Sequence, residues 1–213
     1  MTEAHIWQNE KLGLRVVEAL KKNRFKAEFM ATREAVRQWL LELIPTEASV
    51  GLGGSVTIRQ LNVLEELKKR GNRILDHNDP MATLEEKTRV RRQQLTSDVY
   101  LSGTNAVTLD GKLVNLDGTG NRVAAMIYGP QKVIIVIGIN KIVKDVDSAL
   151  ERIEMFAAPM NNYRLGYQNP CVKTGFCMDC ESEQRICNVI TIMRKKPTQT
   201  DITVIIIGEE LGL

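Results

Sequence analysis

At 213 residues, with 43% hydrophobic and 26% charged content, the chain is long enough for one substantial core and too ordinary in composition for a disordered or coiled-coil protein. Its formal net charge of +3 is too small to imply a nucleic-acid partner, and no apolar run approaches the roughly 20 residues needed to cross a bilayer. The start Met1-Thr2-Glu3-Ala4-His5 has no basic-then-apolar leader, so the expected compartment is the reducing cytoplasm, where clustered cysteines serve as metal ligands or redox groups more often than as disulfides.

Residues from about Ile6 to Lys22 read as a helix, and Phe25, Ala27 and Phe29 alternate as in a strand. Thr32 caps a helix whose Ala35, Val36, Trp39, Leu40 and Leu43 share a face. A short strand, Ser49 to Leu52, runs into a glycine turn and a single helix is expected from Ser55 to Arg70, stopped by Gly71. Arg73 to Leu75 is a further strand. Thr83 and Glu86 have capping-box spacing and open a helix carrying Lys87, Arg89, Arg91 and Arg92, read as a solvated face.

Asp110-Gly111 between Ala106–Leu109 and Lys112–Asn115 marks a hairpin. Val123 to Tyr128 reads as a short helix, and Val133 to Ile137 as an apolar strand covered on both faces. Val146, Ala149, Leu150 and Ile153 mark a helix expected to end near Ala158-Pro159. Irregular sequence follows, then strands at Ile190–Met193 and Ile202–Ile207. The alternation predicts an α/β fold: a mostly parallel, Rossmann-like sheet with helices on both faces and a small irregular cysteine-rich module. The expected divisions are a core at 1–160, a four-cysteine module at 161–188, and strands at 189–213 returning to the main domain.

Two glycine-rich segments are candidate binding turns. In Val50-Gly51-Leu52-Gly53-Gly54-Ser55-Val56-Thr57, glycines allow close backbone approach, and Gly53, Gly54, Ser55 and Thr57 offer N–H and hydroxyl donors to a small anion. The segment is neither a P-loop nor a dinucleotide fingerprint: no Gly-Lys-Ser/Thr follows, and position 56 is Val. The alternative is a plain strand–helix turn capped by Ser55. The second set comprises Thr104 and Asn105, then Gly118, Thr119, Gly120, Asn121 and Arg122, with Asn140 and Lys141 beyond the apolar strand. Small polar residues at strand ends suit a ligand in an open α/β sheet. Arg122 suits a carboxylate or phosphate, and Asp98, Asp117 and Lys141 are acid–base candidates. Against this, Asp117 and Asn121 can satisfy turn backbone groups, and Lys141 can be an ordinary surface lysine.

Cys171, Cys177, Cys180 and Cys187 are the only cysteines, spaced Cys-x5-Cys-x2-Cys-x6-Cys. The x2 pair lets two thiolates grip one metal, and four thiolates suit either a 4Fe–4S cluster, slightly favoured here, or tetrahedral zinc. The alternatives are a redox dithiol at the x2 pair, or disulfides if the protein is exported. Four thiolates would close a zinc shell, so catalytic zinc is not expected. His5 and His77 are read as surface or turn residues.

Thr96-Ser97-Asp98-Val99-Tyr100-Leu101-Ser102-Gly103-Thr104-Asn105-Ala106-Val107-Thr108-Leu109-Asp110-Gly111, continued through Leu113-Val114-Asn115, Gly120-Asn121-Arg122 and Gly138-Ile139-Asn140-Lys141, resembles the lactate-utilisation (LUD) domain family. The cysteine set resembles its version with a cysteine-rich C-terminal segment. The resemblance implies a fold similar to the ribose-5-phosphate isomerase, glucosamine-6-phosphate deaminase and CoA-transferase group, in whose isomerases the phosphate-binding turn is similar to Gly51–Thr57. It implies a role near lactate or related hydroxy- and keto-acid metabolism, with a small anionic metabolite as ligand. Iron–sulfur or oxidoreductase proteins would be partners, and a homo-oligomer is compatible with it. Two other functions stay open: a stand-alone isomerase- or CoA-transferase-like enzyme on a phosphorylated or CoA-linked metabolite, and an assembly or regulatory protein with structural zinc.

Overall fold

The computed structural model describes residues 2–213. Six strands form one all-parallel sheet: β1 (Lys26–Met30), β2 (Ser49–Leu52), β3 (Arg73–Leu75), β4 (Val99–Ser102), β7 (Lys132–Gly138) and β10 (Asp201–Ile207). Their order is β1-β10-β7-β4-β2-β3. The last strand of the chain therefore lies inside the sheet, between β1 and β7.

Side chains alternate across a strand, and β7 shows what this does. Val133, Ile135 and Ile137 face one core, with Val16, Val17 and Leu20 of α1 (Glu3–Lys22) and Ala125 and Met126 of α6 (Asn121–Ile127). Ile134 and Val136 face the other, with Val36 and Leu40 of α2 (Arg33–Leu43), Ile58 of α3 (Val56–Gln60) and Leu67 of α4 (Leu64–Lys69). Each valine, leucine, isoleucine or methionine among them contributes about 1.5–3 kcal/mol by leaving water. Burial on both faces is why β7 reads as an unbroken apolar run. The chain is thus an α/β protein with a parallel central sheet flanked by helices on both sides.

A second, four-stranded sheet has the order β8-β5-β6-β9, made of β5 (Ala106–Thr108), β6 (Leu113–Asp117), β8 (Ile142–Val143) and β9 (Val189–Met193). The expected Asp110-Gly111 hairpin is its β5–β6 pair. Of the two late strands, β10 enters the main sheet, whereas β9 pairs antiparallel with β6. Ala149 of α7 (Val146–Arg152), Ile153 and Ala158 pack on this sheet against Ala106 and Val114.

Two helices differ from expectation. The stretch from Ser55 to Arg70 is two helices, because Asn62 between α3 and α4 takes a left-handed φ of 54°, which asparagine tolerates and a continuous helix does not. The helix beginning at Val146 does not stop near Pro159. It widens into a π-turn, Ile153–Ala157, and continues as α8 (Ala158–Arg164). The wider turn accommodates a proline that has no N–H to give to the preceding turn. Residues 161–188 hold no strand. They contain the end of α8 and a short α9 (Pro170–Thr174).

Candidate functional site

The carboxyl ends of the parallel strands converge on one open cleft of about 540 Å³. Gly53, Gly54 and Ser55 follow β2, His77 and Asn78 follow β3, and Gly103, Thr104 and Asn105 follow β4. Lys141 closes the 3-10 turn after β7. This is where an open α/β sheet collects ligands. The β2 and β4 loops touch: a methyl group on Gly103 would sit 2.7 Å from Ser55 Oγ. The other walls are the Leu116–Arg122 turn, the α8 end with Arg164, and α5 (Leu84–Gln94), which presents Lys87 and Arg91. Among the described residues, five lysine and arginine side chains line the cleft, against the single acidic side chain of Asp117.

Lys141 is the most unusual of these groups. It is 4% exposed. Its Nζ donates to Thr57 Oγ1 at 3.0 Å and to the Thr104 carbonyl at 3.3 Å, both neutral acceptors. No carboxylate lies within 4 Å of it among the described residues. Burial, aided by the nearby charges of Arg152 and Arg122, pulls its pKa down to about 7.

Arg122 and Asp117 knit the cleft floor. Arg122 Nη1 donates to Asn115 Oδ1 at 2.7 Å, and Nη2 to the Leu116 carbonyl at 2.7 Å and Asn105 Oδ1 at 3.0 Å. Its Nε stands 3.6 Å from Asp117 Oδ2. Asp117 in turn accepts from the backbone N–H groups of Thr119, Gly120 and Val123. The guanidinium is therefore spent largely on protein acceptors. Its geometry holds the β4 loop, β6 and the start of α6 in one arrangement.

Of the residues expected at the site, Gly53, Gly54, Ser55, Thr104, Asn105, Asp117, Gly118, Thr119, Asn121, Arg122 and Lys141 meet in this cleft. Thr57, Gly120 and Asn140 are not among its lining residues. Thr57 holds Lys141, and Asn140 Oδ1 accepts the Leu211 N–H at 3.1 Å. Asp98 is elsewhere. It precedes β4, at the amino ends of the strands, where it accepts from Ser49 Oγ at 2.6 Å, Ser49 N at 2.9 Å and Gln131 Nε2 at 3.1 Å. Those Ser49 bonds keep its carboxyl below the usual range. It joins two strand starts and is not part of the cleft.

Sequence reasoning passed over His77, Lys87, Arg91 and Arg164. His77 Nδ1 lies 3.0 Å from Gln94 Nε2, and burial, with Arg91 beside it, lowers its pKa. It sits in a turn after β3, as expected, and that turn lines the cleft. Lys87 and Arg91 are half-buried in the cleft wall while Arg89 is exposed. Their i, i+4 spacing was the available signal, since it puts both on one side of the helix. For His77 the signal was its place just past a strand's carboxyl end.

The cysteine segment forms part of the same cleft. Ile186 and Tyr167 line it. Asn188 N donates to the Asp117 carbonyl at 3.1 Å, and its Nδ2 to the Gly118 carbonyl at 3.0 Å. Arg185 organises the loop from within, donating to the carbonyls of Cys180 at 2.7 Å and Cys187 at 3.2 Å and to Asp179 Oδ1 at 2.8 Å. The four thiols are free. They lie near enough that burial and the charges of Cys180, Cys177 and Cys187 all raise the Cys171 pKa. Cys177 Sγ accepts the Asp179 N–H at 3.4 Å, an N–H···S bond of the kind a Cys-x-x-Cys grip supplies. The donor set suits a thiolate-bound metal, although no three His, Cys, Asp or Glu side chains among the described residues are drawn together closely enough to hold an ion.

The sequence model of the LUD domain matches residues 14–207. The chain belongs to the LUD domain family. The match spans both sheets and the cleft between their loops. Among solved structures, the LUD chain is similar to a DUF162 family protein from Deinococcus radiodurans, at 12% identity and a TM-score of 0.52, covering 93% of this chain and 98% of that one. At that identity the likeness concerns the fold alone. No curated protein matches this LUD sequence. Among the described residues, no helix is long and apolar enough to cross a membrane.

Proposed function

We propose that this LUD-type protein binds a small anionic metabolite, a hydroxy or keto acid such as lactate or pyruvate, in the cleft at the carboxyl ends of β2, β4 and β7. The observation that carries this reading is the charge imbalance of the cleft: five cationic side chains against one acidic side chain, with a buried Lys141 whose hydrogen-bond acceptors among the described residues are both neutral. Buried charge is costly unless paired, and an anionic ligand supplies the missing partner. Lys87, Arg91 and Arg164 draw the anion in. Ser55 and the backbone of Gly53–Gly54 can orient it, while Lys141 holds or moves a proton at Nζ.

In this reading Cys171, Cys177, Cys180 and Cys187 hold a 4Fe–4S cluster, with zinc the alternative, and the protein works as a component of an iron–sulfur-linked oxidation system in the cytoplasm. The cluster would supply one-electron chemistry beside the cleft. Support comes from the loop's place in the cleft wall and from Phe156, Met160, Tyr163, Phe176 and Met178. These are exposed apolar side chains around the same segment, suited to a protein partner. An oxidoreductase or a second copy of this chain fits that surface.

The second reading is a stand-alone enzyme of the isomerase or CoA-transferase kind acting on a phosphorylated or CoA-linked metabolite. It is favoured by the Gly53–Ser55 turn and by a lysine that titrates near neutrality. Thermal-shift measurements with lactate, pyruvate, ribose 5-phosphate and acetyl-CoA separate the two. Stabilisation by the free acids supports the first reading, and stabilisation by the phosphate or CoA compounds alone supports the second.

A further inference from the structure

The environment of Lys141 says more than that it is cationic. An ε-amino group has three positions beyond its carbon. Two are spent on donated bonds to Thr57 Oγ1 and the Thr104 carbonyl. Neither acceptor is charged, and the nearby ionic groups, Arg152 and Arg122, are themselves cations. Arg152 is held in place by the carbonyls of Asn105 at 2.7 Å and Asn140 at 3.2 Å, so it cannot swing away to relieve the repulsion. Lys141 itself lines the cleft, and the third position is the one left for a ligand. In a neutral amine that position is a lone pair. Desolvation next to a fixed cation is a way in which proteins turn a lysine into a nucleophile.

We infer that Lys141 Nζ is a covalent nucleophile, forming an imine with the carbonyl carbon of a small 2-oxo acid bound in the cleft. The inference rests on the proposed anion-binding role of that cleft. The lone pair forms the C–N bond, the carbonyl π pair moves onto oxygen, and one of the amine's own protons passes to that oxygen, giving a neutral carbinolamine. The hydroxyl then takes a second proton from solvent, the C–O bond breaks with loss of water, and the remaining nitrogen lone pair completes a protonated C=N bond. No oxidant or reductant is consumed. Thr57 and the Thr104 carbonyl aim the amine, and the carboxylate of the oxo acid lies against the cleft's arginines. The protonated imine draws electrons from the adjacent carbon, which is the chemical use of the adduct.

The test is reductive trapping. The full-length protein is incubated with pyruvate and sodium cyanoborohydride, and the adduct is located by intact-mass and peptide-mass analysis, with pyruvate-induced thermal shift measured in parallel. Lys141→Arg keeps a cation at the site and is the control. An ordinary exposed lysine is neutral in about one molecule in a thousand or fewer at pH 7. A single adduct is expected at Lys141, formed on the order of tenfold faster than at any surface lysine. Its rate should rise from about pH 6 to 8 as the amine loses its proton, and the adduct should be absent in Lys141→Arg. Saturable pyruvate binding with Lys141 unmodified, or labelling spread evenly over surface lysines, overturns the imine and leaves the binding role standing. Absence of both binding and labelling overturns the two together.

Discussion

Gly118 and Ile186 meet so closely that a methyl group on Gly118 would lie 2.9 Å from the Ile186 Cα. Gly118 belongs to the turn that follows β6, and Ile186 sits immediately before Cys187. Through this contact the cysteine segment becomes a wall of the cleft.

Gly118→Ala therefore pushes backbone against backbone and lifts residues 161–188 from the cleft. The expected cost is about 1–3 kcal/mol, as for other overpacked contacts. It should register as faster limited proteolysis within that segment and weaker anion binding, while the parallel sheet keeps its thermal transition.

Lys141→Met should stabilise the fold at neutral pH while abolishing ligand function. A flexible apolar side chain of similar length fills the space without desolvating a charge, a gain of about 1–2 kcal/mol. The pH dependence carries the same information. Between about pH 7, where folded Lys141 titrates, and the ordinary lysine range, the unfolded chain binds more protons at this residue than the folded one. Wild-type stability therefore rises with pH across that window, and the contribution should be missing from the variant. Chemical denaturation at several pH values checks both points.

Arg122→Lys keeps the charge and loses the fork that reaches Asn115, Leu116 and Asn105 together. Buried acceptors left without donors cost about 2–4 kcal/mol in all. Denaturation midpoints should fall accordingly, with the largest loss of amide protection at the start of α6.

The proposed metal site predicts that Cys177→Ser and Cys180→Ser each lose metal. Iron, zinc and acid-labile sulfide are measured on protein purified without oxygen. Cluster binding predicts equimolar iron and sulfide in the wild type and near-complete loss in either variant. Equal metal content in all three proteins contradicts the assignment.

Much of this architecture is written locally. The unbroken run Val133–Ile137 announces a strand covered on both faces, and Asp110-Gly111 announces the β5–β6 hairpin. The split at Asn62 and the continuation through Pro159 were hidden because a left-handed asparagine and a π-turn are settled by packing, not by propensity. The glycine turns, Arg122 and Lys141 were visible as candidates because they follow strand ends. Asp98 immediately precedes β4, which in a parallel sheet puts it at the amino ends, so its place away from the cleft was legible from chain direction. Lys87 and Arg91 resembled any solvated helix face. Only the placement of α5 beside the cleft separates them from Arg89.

The most direct test of the cleft is calorimetric titration of pyruvate into the wild type and into a Lys87→Ala/Arg91→Ala double variant, both verified as folded. The expected result is saturable one-site binding to the wild type, weakened by about tenfold or more in the variant, as befits the loss of two cations facing the ligand. No saturable binding to the wild type, or equal affinity in the two proteins, would contradict an anionic-metabolite site in this cleft.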